Sequence, residues 1–332
     1  MKATAKTPAN IALIKYWGKK DEKLRLPLNS SISMNLSNCY TVTTVEFSKR
    51  FQKDFVGISS VEAKKLPTHR PFGHTRVITH LERIRKLAKS NLKAKVVSKN
   101  SFPRSAGIAS SASGFAALTL AATKAVGLDL SEKEFSILAR LGSGSACRSI
   151  SDGFVEWKKG KTSKDSFAYS LYPPNYWDLR DIIVIVQKKE KKIGSSSGMK
   201  NVKTSLFFKA RLASINGRIR KIKEALKEKD FKLLGETIEE EAINMHCVIM
   251  TQKPALFYWN SVTIEIIKAV QNWREKDLSV YFTIDAGSSI HLIYQAKDEK
   301  EVVKRINQLN GVLDVIINKP ARGAHIINKH LF

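Results

Sequence analysis

A mixed α+β protein in two domains is what this sequence predicts, and three observations carry the prediction. Strand-like segments rich in β-branched and aromatic residues are separated by amphipathic helical patterns, with no internal repeat. The chain has 332 residues, enough for about two domains with real cores. A polar, small-residue stretch starting at Lys188, KKEKKIGSSSGMKNVKTS, divides it into residues 1–187 and 188–332.

The elements follow in order. ATAKTPANIALI (3–14) reads as a strand with Pro8 early, where a missing N–H is tolerable at an edge or strand start. A Tyr16–Trp17–Gly18 turn set among lysines leads to an alternating strand (Ile32, Met34, Leu36), and YTVTTVEF (40–47) reads as another. Residues 48–75 are polar, broken by Gly57, Pro67, Pro71 and Gly73, and suit short hairpin elements. Val77, Leu81, Ile84 and Leu87 have helical spacing, predicting a helix over 76–90 before a short strand at 93–98. A small-residue loop then feeds a helix that stops at Gly127, and Ser131 with Glu134 marks a capping box for a helix over 132–140. DIIVIVQ has a continuous apolar centre, predicting a strand buried on both faces. Helical patterns cover 205–228, 231–249 and 261–274, and SVYFTIDAGSSIHLIY reads as two strands around a tight turn at Asp285–Gly287. A helix (298–309) and a strand (312–318) close the chain.

Composition narrows the class. Apolar content of 43% is ordinary, and no apolar run approaches the roughly 20 residues of a membrane-spanning helix. The N-terminal segment has only a four-residue apolar patch before Lys15, unlike a secretory signal. Cys39, Cys147 and Cys247 are odd in number and lack metal-ligand spacing, so a reduced, cytoplasmic protein without a membrane partner is expected. Fifty-seven basic against thirty acidic side chains give +27. The lysines are dispersed and no nucleic-acid module is recognisable. A solvated basic surface that also attracts a polyanionic small substrate is therefore preferred, with nucleic-acid binding as the minor alternative.

The chemistry concentrates in four small-residue turns, each beside a charged or reactive group: Lys15–Lys19, Ser105–Ser111, Ser143–Arg148 and Asp285–Ser289. The stretch SFPRSAGIASSASGF (101–115) is the most suggestive. Small residues let backbone approach a bulky ligand, and unpaired N–H groups at a helix start favour an anion. A serine-capped, tightly packed helix explains the same residues. No Walker A loop, dinucleotide fingerprint, zinc pair or serine-hydrolase elbow is present. Basic groups, hydroxyls and N–H groups gathered around one base suit phosphoryl transfer, which depends on positioning and charge neutralisation.

In combination, PANIALIKYWGKKDEKLRLPLNSSISMNL, SFPRSAGIASSASGFAAL, RLGSGSACRSISDGFVEW and YFTIDAG resemble the diphosphomevalonate decarboxylases of the GHMP kinase superfamily, in order and spacing over most of the chain. The resemblance implies a two-domain GHMP-kinase fold with the active site in the cleft between domains. It also implies ATP and Mg²⁺, the metal held mainly through the ATP phosphates, and leaves room for a homodimer. The implied reaction phosphorylates the tertiary hydroxyl of 5-diphosphomevalonate, then releases phosphate and carbon dioxide to give isopentenyl diphosphate. Asp285 matches the family's base, although by itself it reads rather as a turn residue, with Gly287 following. Arg148 matches the arginine that holds the substrate carboxylate, and Lys15 joins the same catalytic group. Tyr16, Lys19, Arg76, Ser143, Ser145, Asn10, Ser195 and Ser196 correspond to substrate-side positions, with Arg76 on the substrate diphosphate. Ser105, Ala106, Gly107, Ala109, Ser110 and Ser111 correspond to the ATP loop. His246 also matches a family position, but a lone histidine in an apolar helix reads as core.

Three departures bear on the substrate. Ser288–Ser289 stand where the family has Pro-Asn, Arg104–Ser105 where it has Thr-Ala, and Ser151–Asp152 where it has a more hydrophobic pair. A related decarboxylase of the 5-monophosphate shares this chemistry and a mevalonate 3-kinase shares half of it. Retention of Asp285 together with Arg148 favours full decarboxylation.

Overall fold

The computed structural model describes residues 1–60, 71–103, 110–187 and 193–332, and for 71–74 only the backbone. The chain opens with β1 (Lys2–Ile14), buried almost throughout from Thr4 onward. A small hairpin, β2 (Lys19–Asp21) and β3 (Leu26–Pro27), follows it. Next comes β4 (Ser31–Ser48), one 18-residue strand where the sequence predicts two. β4 is the spine of the first sheet: its residues 32–35 and 40–46 pair with β1, with a register shift where Pro8 meets Tyr40 but Asn10 meets Asn35. Pro8 thus lies mid-strand, beside an irregularity that relieves the ladder of its missing donor, not at a strand start.

Between those two registers β4 turns its polar groups elsewhere. Ser37 N–H donates to Lys319 O, Asn38 N–H donates to the Asn318 side chain at 3.0 Å, and Leu36 bridges Pro320. No periodicity in β4 announces this, because the partner lies some 280 residues away.

β5 (Phe55–Ser59) pairs in parallel with β6 (Lys93–Asn100), so the region expected to form hairpins contributes a crossover strand instead. Between them α1 (Pro71–Ala88) packs on the sheet, followed after β6 by α2 (Ser110–Ala125) and α3 (Glu132–Gly142). The capping box at Ser131 forms as predicted, Ser131 Oγ accepting from Glu134 N–H and Glu134 accepting from Ser131 N–H. A 3₁₀ turn (Gly144–Ser149) leads to β7 (Phe154–Trp157) and β8 (Ala168–Tyr172), which extend the first sheet beside the start of β4.

Sheet membership then changes. β9 (Leu179–Ile185) is the buried central strand expected from DIIVIVQ, but it lies in a second sheet. The switch therefore falls between Tyr172 and Leu179, ahead of residue 187. Helices α4 (Ser195–Gly198), α5 (Phe208–Glu228), α6 (Phe231–Thr251) and α7 (Ser261–Arg274) come next. The predicted hairpin is β10 (Val280–Thr283) with β11 (Ile290–Gln295), completed by α8 (Glu299–Ile306) and β12 (Asp314–Asn318). The second sheet has the order β10-β11-β9-β12, all antiparallel. Finally β13 (His325–Ile326) returns to pair with β1.

One core lies between the first sheet and α1–α3, built on Val45, Leu81, Phe115 and Leu138, and another packs the second sheet on α7 and α8. A third joins the halves: Ile11, Leu13 and Met34 of the first sheet meet Ile183, Ile215, Leu234 and Tyr281. Burying a side chain of this size contributes about 1.5–3 kcal/mol. This shared core fixes the end of β1 against the end of β10, which is where the functional residues gather.

Candidate active site

Lys15 is the first residue beyond β1. Its ammonium donates to Asp285 Oδ1 at 2.7 Å and to Ala12 O at 2.7 Å, and the side chain is 1% exposed. Asp285 follows β10, and its carboxylate is 30% exposed, so this pair opens towards the solvent from the aspartate side. Burial pushes the Asp285 carboxyl up, but Lys15, His291 and Arg148 outweigh it and hold the group below the usual carboxylate range. Burial in turn drives Lys15 below the usual lysine range, the attraction of Asp285 and Glu241 only partly offsetting it. The turn after Asp285 closes tightly, Gly287 N–H donating to Asp285 O at 2.7 Å.

Helix α6 holds both members of the pair. Glu241 accepts from Lys15 N–H at 3.0 Å and is itself gripped by Arg211 and Arg218. Two residues earlier on the helix, Glu239 accepts from Arg274 through both oxygens and from Phe282 N–H at 2.9 Å, anchoring β10. His246, further along the helix, donates from Nδ1 to Ala242 O at 2.8 Å, lies tilted against the Trp259 ring and is pushed down to about 4 by burial. It is a neutral core residue, as the sequence implies, set behind the Asp285 turn.

Arg148, on the 3₁₀ turn after α3, is 3% exposed. Nη1 donates to Ser31 Oγ at 2.7 Å, while Nε and Nη2 donate to Asn10 Oδ1 at 3.3 and 3.1 Å. Asn10 is oriented by its own amide, which donates to Ser149 Oγ at 2.7 Å and to Ser145 O at 3.3 Å. Among the described residues no carboxylate forms an ion pair with Arg148; Asp285 acts on it only through its field. The glycines of RLGSGSACRS serve close approach. A Cβ on Gly144 would stand 2.6 Å from the Tyr16 ring, and one on Gly142 2.4 Å from the Phe115 ring. Tyr16 lies edge-on to Trp157, and its buried hydroxyl has no hydrogen-bond partner among the described residues.

Ser143 donates to Ser111 Oγ at 3.2 Å, joining this turn to the start of α2. Beside that helix start a cavity of about 350 Å³ is lined by Ser110, Ser111 and Arg76 on one side and by Val56, Ile58 and Val96 on the other. Arg76 donates to Gly142 O at 3.0 Å and stacks over Phe115. Lys19 is tied to the exposed Glu22 at 2.6 Å. Ser195 and Ser196 open α4, whose neighbour Met199 packs with Trp17 and Ala286. Ser105, Ala106, Gly107 and Ala109 lie outside the described residues.

Lys15, Tyr16, Asn10, Ser143, Ser145, Arg148 and Asp285 are thus brought into one neighbourhood, and Ser110, Ser111 and Arg76 border it. Sequence reasoning misses Ser31 and Glu241, which hold Arg148 and Lys15. Ser31 carries a signal in LPLNSS, a polar pair at a strand start, whereas Glu241 sits in an EEE run that reads as a solvated helix face.

The comparisons agree over both halves. Residues 7–168 match the diphosphomevalonate decarboxylase-like N-terminal domain, and residues 181–325 match the mevalonate 5-diphosphate decarboxylase C-terminal domain. The diphosphomevalonate decarboxylase of Candida albicans is 36% identical over 316 residues, covering 91% of this chain and 86% of that protein. That of Danio rerio is 37% identical, covering 89% and 76%. Mevalonate diphosphate decarboxylase from Staphylococcus aureus superposes with TM-score 0.91 at 35% identity over 98% of both chains. A structure of MDDEF in complex with MVAPP, AMPPCP and magnesium does so with TM-score 0.90 at 36% identity over 99% of both. The α+β, two-domain GHMP-kinase fold expected from the motifs is therefore the one this chain adopts, and the protein belongs to the diphosphomevalonate decarboxylase family.

Proposed function

We propose that this enzyme decarboxylates 5-diphosphomevalonate to isopentenyl diphosphate in an ATP-dependent reaction of isoprenoid biosynthesis, with Asp285 as the base. The observation that carries the assignment is the Lys15–Asp285 pair at 2.7 Å, set in the field of an arginine that lacks a carboxylate partner among the described residues. A substrate carboxylate completes Arg148, whose planar fork is already oriented by Ser31 and Asn10. The tertiary hydroxyl, on the second carbon from that carboxylate, would then be turned towards Asp285, whose field Arg148 shares.

The cavity beside Ser110 and Ser111 fits a nucleotide: apolar walls for a base, and hydroxyls and a helix N-terminus for phosphates. Bound ATP would supply the phosphoryl group that converts hydroxide, a poor leaving group, into phosphate, a good one. Mg²⁺ would be held mainly by the phosphate oxygens, its natural hard ligands, and would offset their charge. A carboxylate held this low is a weak base, and it suffices here. The hydroxyl becomes strongly acidic only as its oxygen bonds to phosphorus, so in a loose transition state the proton leaves late. Lys15 keeps Asp285 ionised until then. Once the C–O bond to phosphate breaks, the electron pair of the bond between the carboxylate and the methylene carbon becomes a double bond to the electron-poor carbon, and carbon dioxide departs.

A coupled assay with mevalonate, its 5-phosphate and its 5-diphosphate, following ADP and carbon dioxide together, tests the reading. Equimolar release of both from the diphosphate is expected, and ADP without carbon dioxide would overturn it. Asp285→Asn should lower kcat about 10²–10⁴-fold while nucleotide binding stays nearly intact.

A further inference from the structure

A second group of cations lies beside this site. Arg25 sits in the left-handed region (φ 53°), a strained backbone for an arginine, and its Nε donates to Leu141 O at 3.1 Å. Arg76 donates to the very next carbonyl, Gly142 O, at 3.0 Å. Two guanidiniums therefore hang from adjacent carbonyls at the C-terminal end of α3, one residue before Ser143. Arg83 is seven residues beyond Arg76 on the same face of α1, and the charge of Arg25 bears on both. His80, between them on that face, is fully buried, keeps Nδ1 unpartnered among the described residues, and is driven down to about 3 by burial and these three arginines.

Elsewhere Arg85 is neutralised by Asp54 and Glu82, and Arg211 and Arg218 by Glu241, while the buried Arg140 and Arg148 are met by neutral oxygens. Among the described residues no carboxylate pairs with Arg25, Arg76 or Arg83. Carbonyls at a helix end offset such charge only in part. Held on adjacent carbonyls, Arg25 and Arg76 suit an anion with more than one charge, able to face two forks at once.

We propose that Arg25 and Arg76 together clamp the diphosphate of the substrate, and that Arg25 sets the preference for a 5-diphosphate over a 5-monophosphate. This rests on the decarboxylase reading above and goes beyond the role the motif gives Arg76 alone. A monophosphate is satisfied by one guanidinium, whereas a diphosphate presents a second phosphoryl group that needs another. The nucleotide is not the anion meant: Arg76 lines the cavity beside Ser110, and Arg25 does not.

The test compares wild type, Arg25→Ala and Arg25→Lys with 5-diphosphomevalonate and 5-phosphomevalonate. In Arg25→Ala, kcat/KM for the diphosphate should fall roughly thirtyfold, through KM, against a fall of less than about threefold for the monophosphate, with the KM for ATP changing less than about twofold. Arg25→Lys, which keeps the charge but loses the fork, should recover part of the selectivity. Equal losses for the two phosphates, a rise confined to ATP, or no change would overturn the proposal. Calorimetric titration with inorganic pyrophosphate and with phosphate gives a readout free of turnover. Arg25→Ala should weaken pyrophosphate far more than phosphate, and equal weakening overturns the clamp. Wild type that releases no carbon dioxide from the diphosphate would defeat the parent reading as well, whereas normal wild type with an unselective Arg25→Ala defeats this one alone.

Discussion

Asp285 and Lys15 are each shifted by burial and by the other, and the two effects have opposite consequences for each group. For the aspartate, the cations win, so the carboxylate is ionised well below neutral pH. For the lysine, desolvation wins, so its proton is held less firmly than on a solvated lysine. The sign for a Lys15→Met variant follows. Removing the adjacent positive charge leaves burial, with Arg148 and His291 as weaker counterweights, and the Asp285 pKa must rise. The acid limb of the kcat/KM profile should therefore move to higher pH in Lys15→Met, while the alkaline limb due to the lysine disappears. An acid limb that stays in place would show that Lys15 does not keep Asp285 ionised. Arg148 behaves differently at the same scale: it is buried by neutral hydroxyl and amide partners, leaving its charge for a ligand.

At the level of elements, α6 does the most to make these residues meet. Along less than two turns it presents Glu239 to β10 and Glu241 to the backbone of Lys15, so one rigid helix sets the spacing between the two strand ends. Glu241 is wholly buried with Arg211 and largely so with Arg218, and Asn244 accepts from both arginines. Removing the charge from this buried network leaves Arg211 uncompensated and Arg218 with Glu240 alone. Glu241→Gln should cost about 3–5 kcal/mol in denaturant unfolding. It should also lower kcat in the fraction that remains folded, because Lys15 N–H loses its best acceptor; an unchanged kcat in folded protein would make the network purely structural. The turn after α3 positions by exclusion: Gly144 lets the Tyr16 ring lie against the backbone, bringing Ser143 and Arg148 to the same cleft.

Across the whole molecule, the shared core and the contact of β4 with residues 317–320 join the two sheets, and beyond the second sheet the chain returns to pair β13 with β1 in the first. The shared core backs the Lys15–Asp285 pair, which suits a reaction that depends on holding groups in register. The net charge of +27 acts at this scale too. Both proposed substrates are polyanions, so long-range attraction should aid their capture, and salt should weaken it. Raising ionic strength from about 0.05 to 0.5 M shortens the screening length well below the size of the cleft. Initial-rate measurements should then give a several-fold rise in KM for the diphosphate with little change in kcat. A KM indifferent to salt would confine the electrostatics to the site itself.

Local signals made most elements readable. The capping box at Ser131, the stop at Gly127, the helix over 261–274 and the two strands flanking Asp285 are set by interactions within a few residues, and they form where the periodicity places them. The segments around Lys15, Arg148 and Asp285 were legible as well, since close packing and charge demand unusual residue types in short runs. What the sequence could not specify is held by distant partners. β4 is one strand because β1 and residues 317–320 take up its polar groups in turn, and Glu241 is buried because Arg211, Arg218 and Lys15 converge on it. By its motifs the sequence alone named Lys15, Arg148 and Asp285 as candidates. Only the tertiary structure decided their charge states and which cations were left without an acid, because desolvation and long-range pairing are properties of where groups finally lie and not of their order.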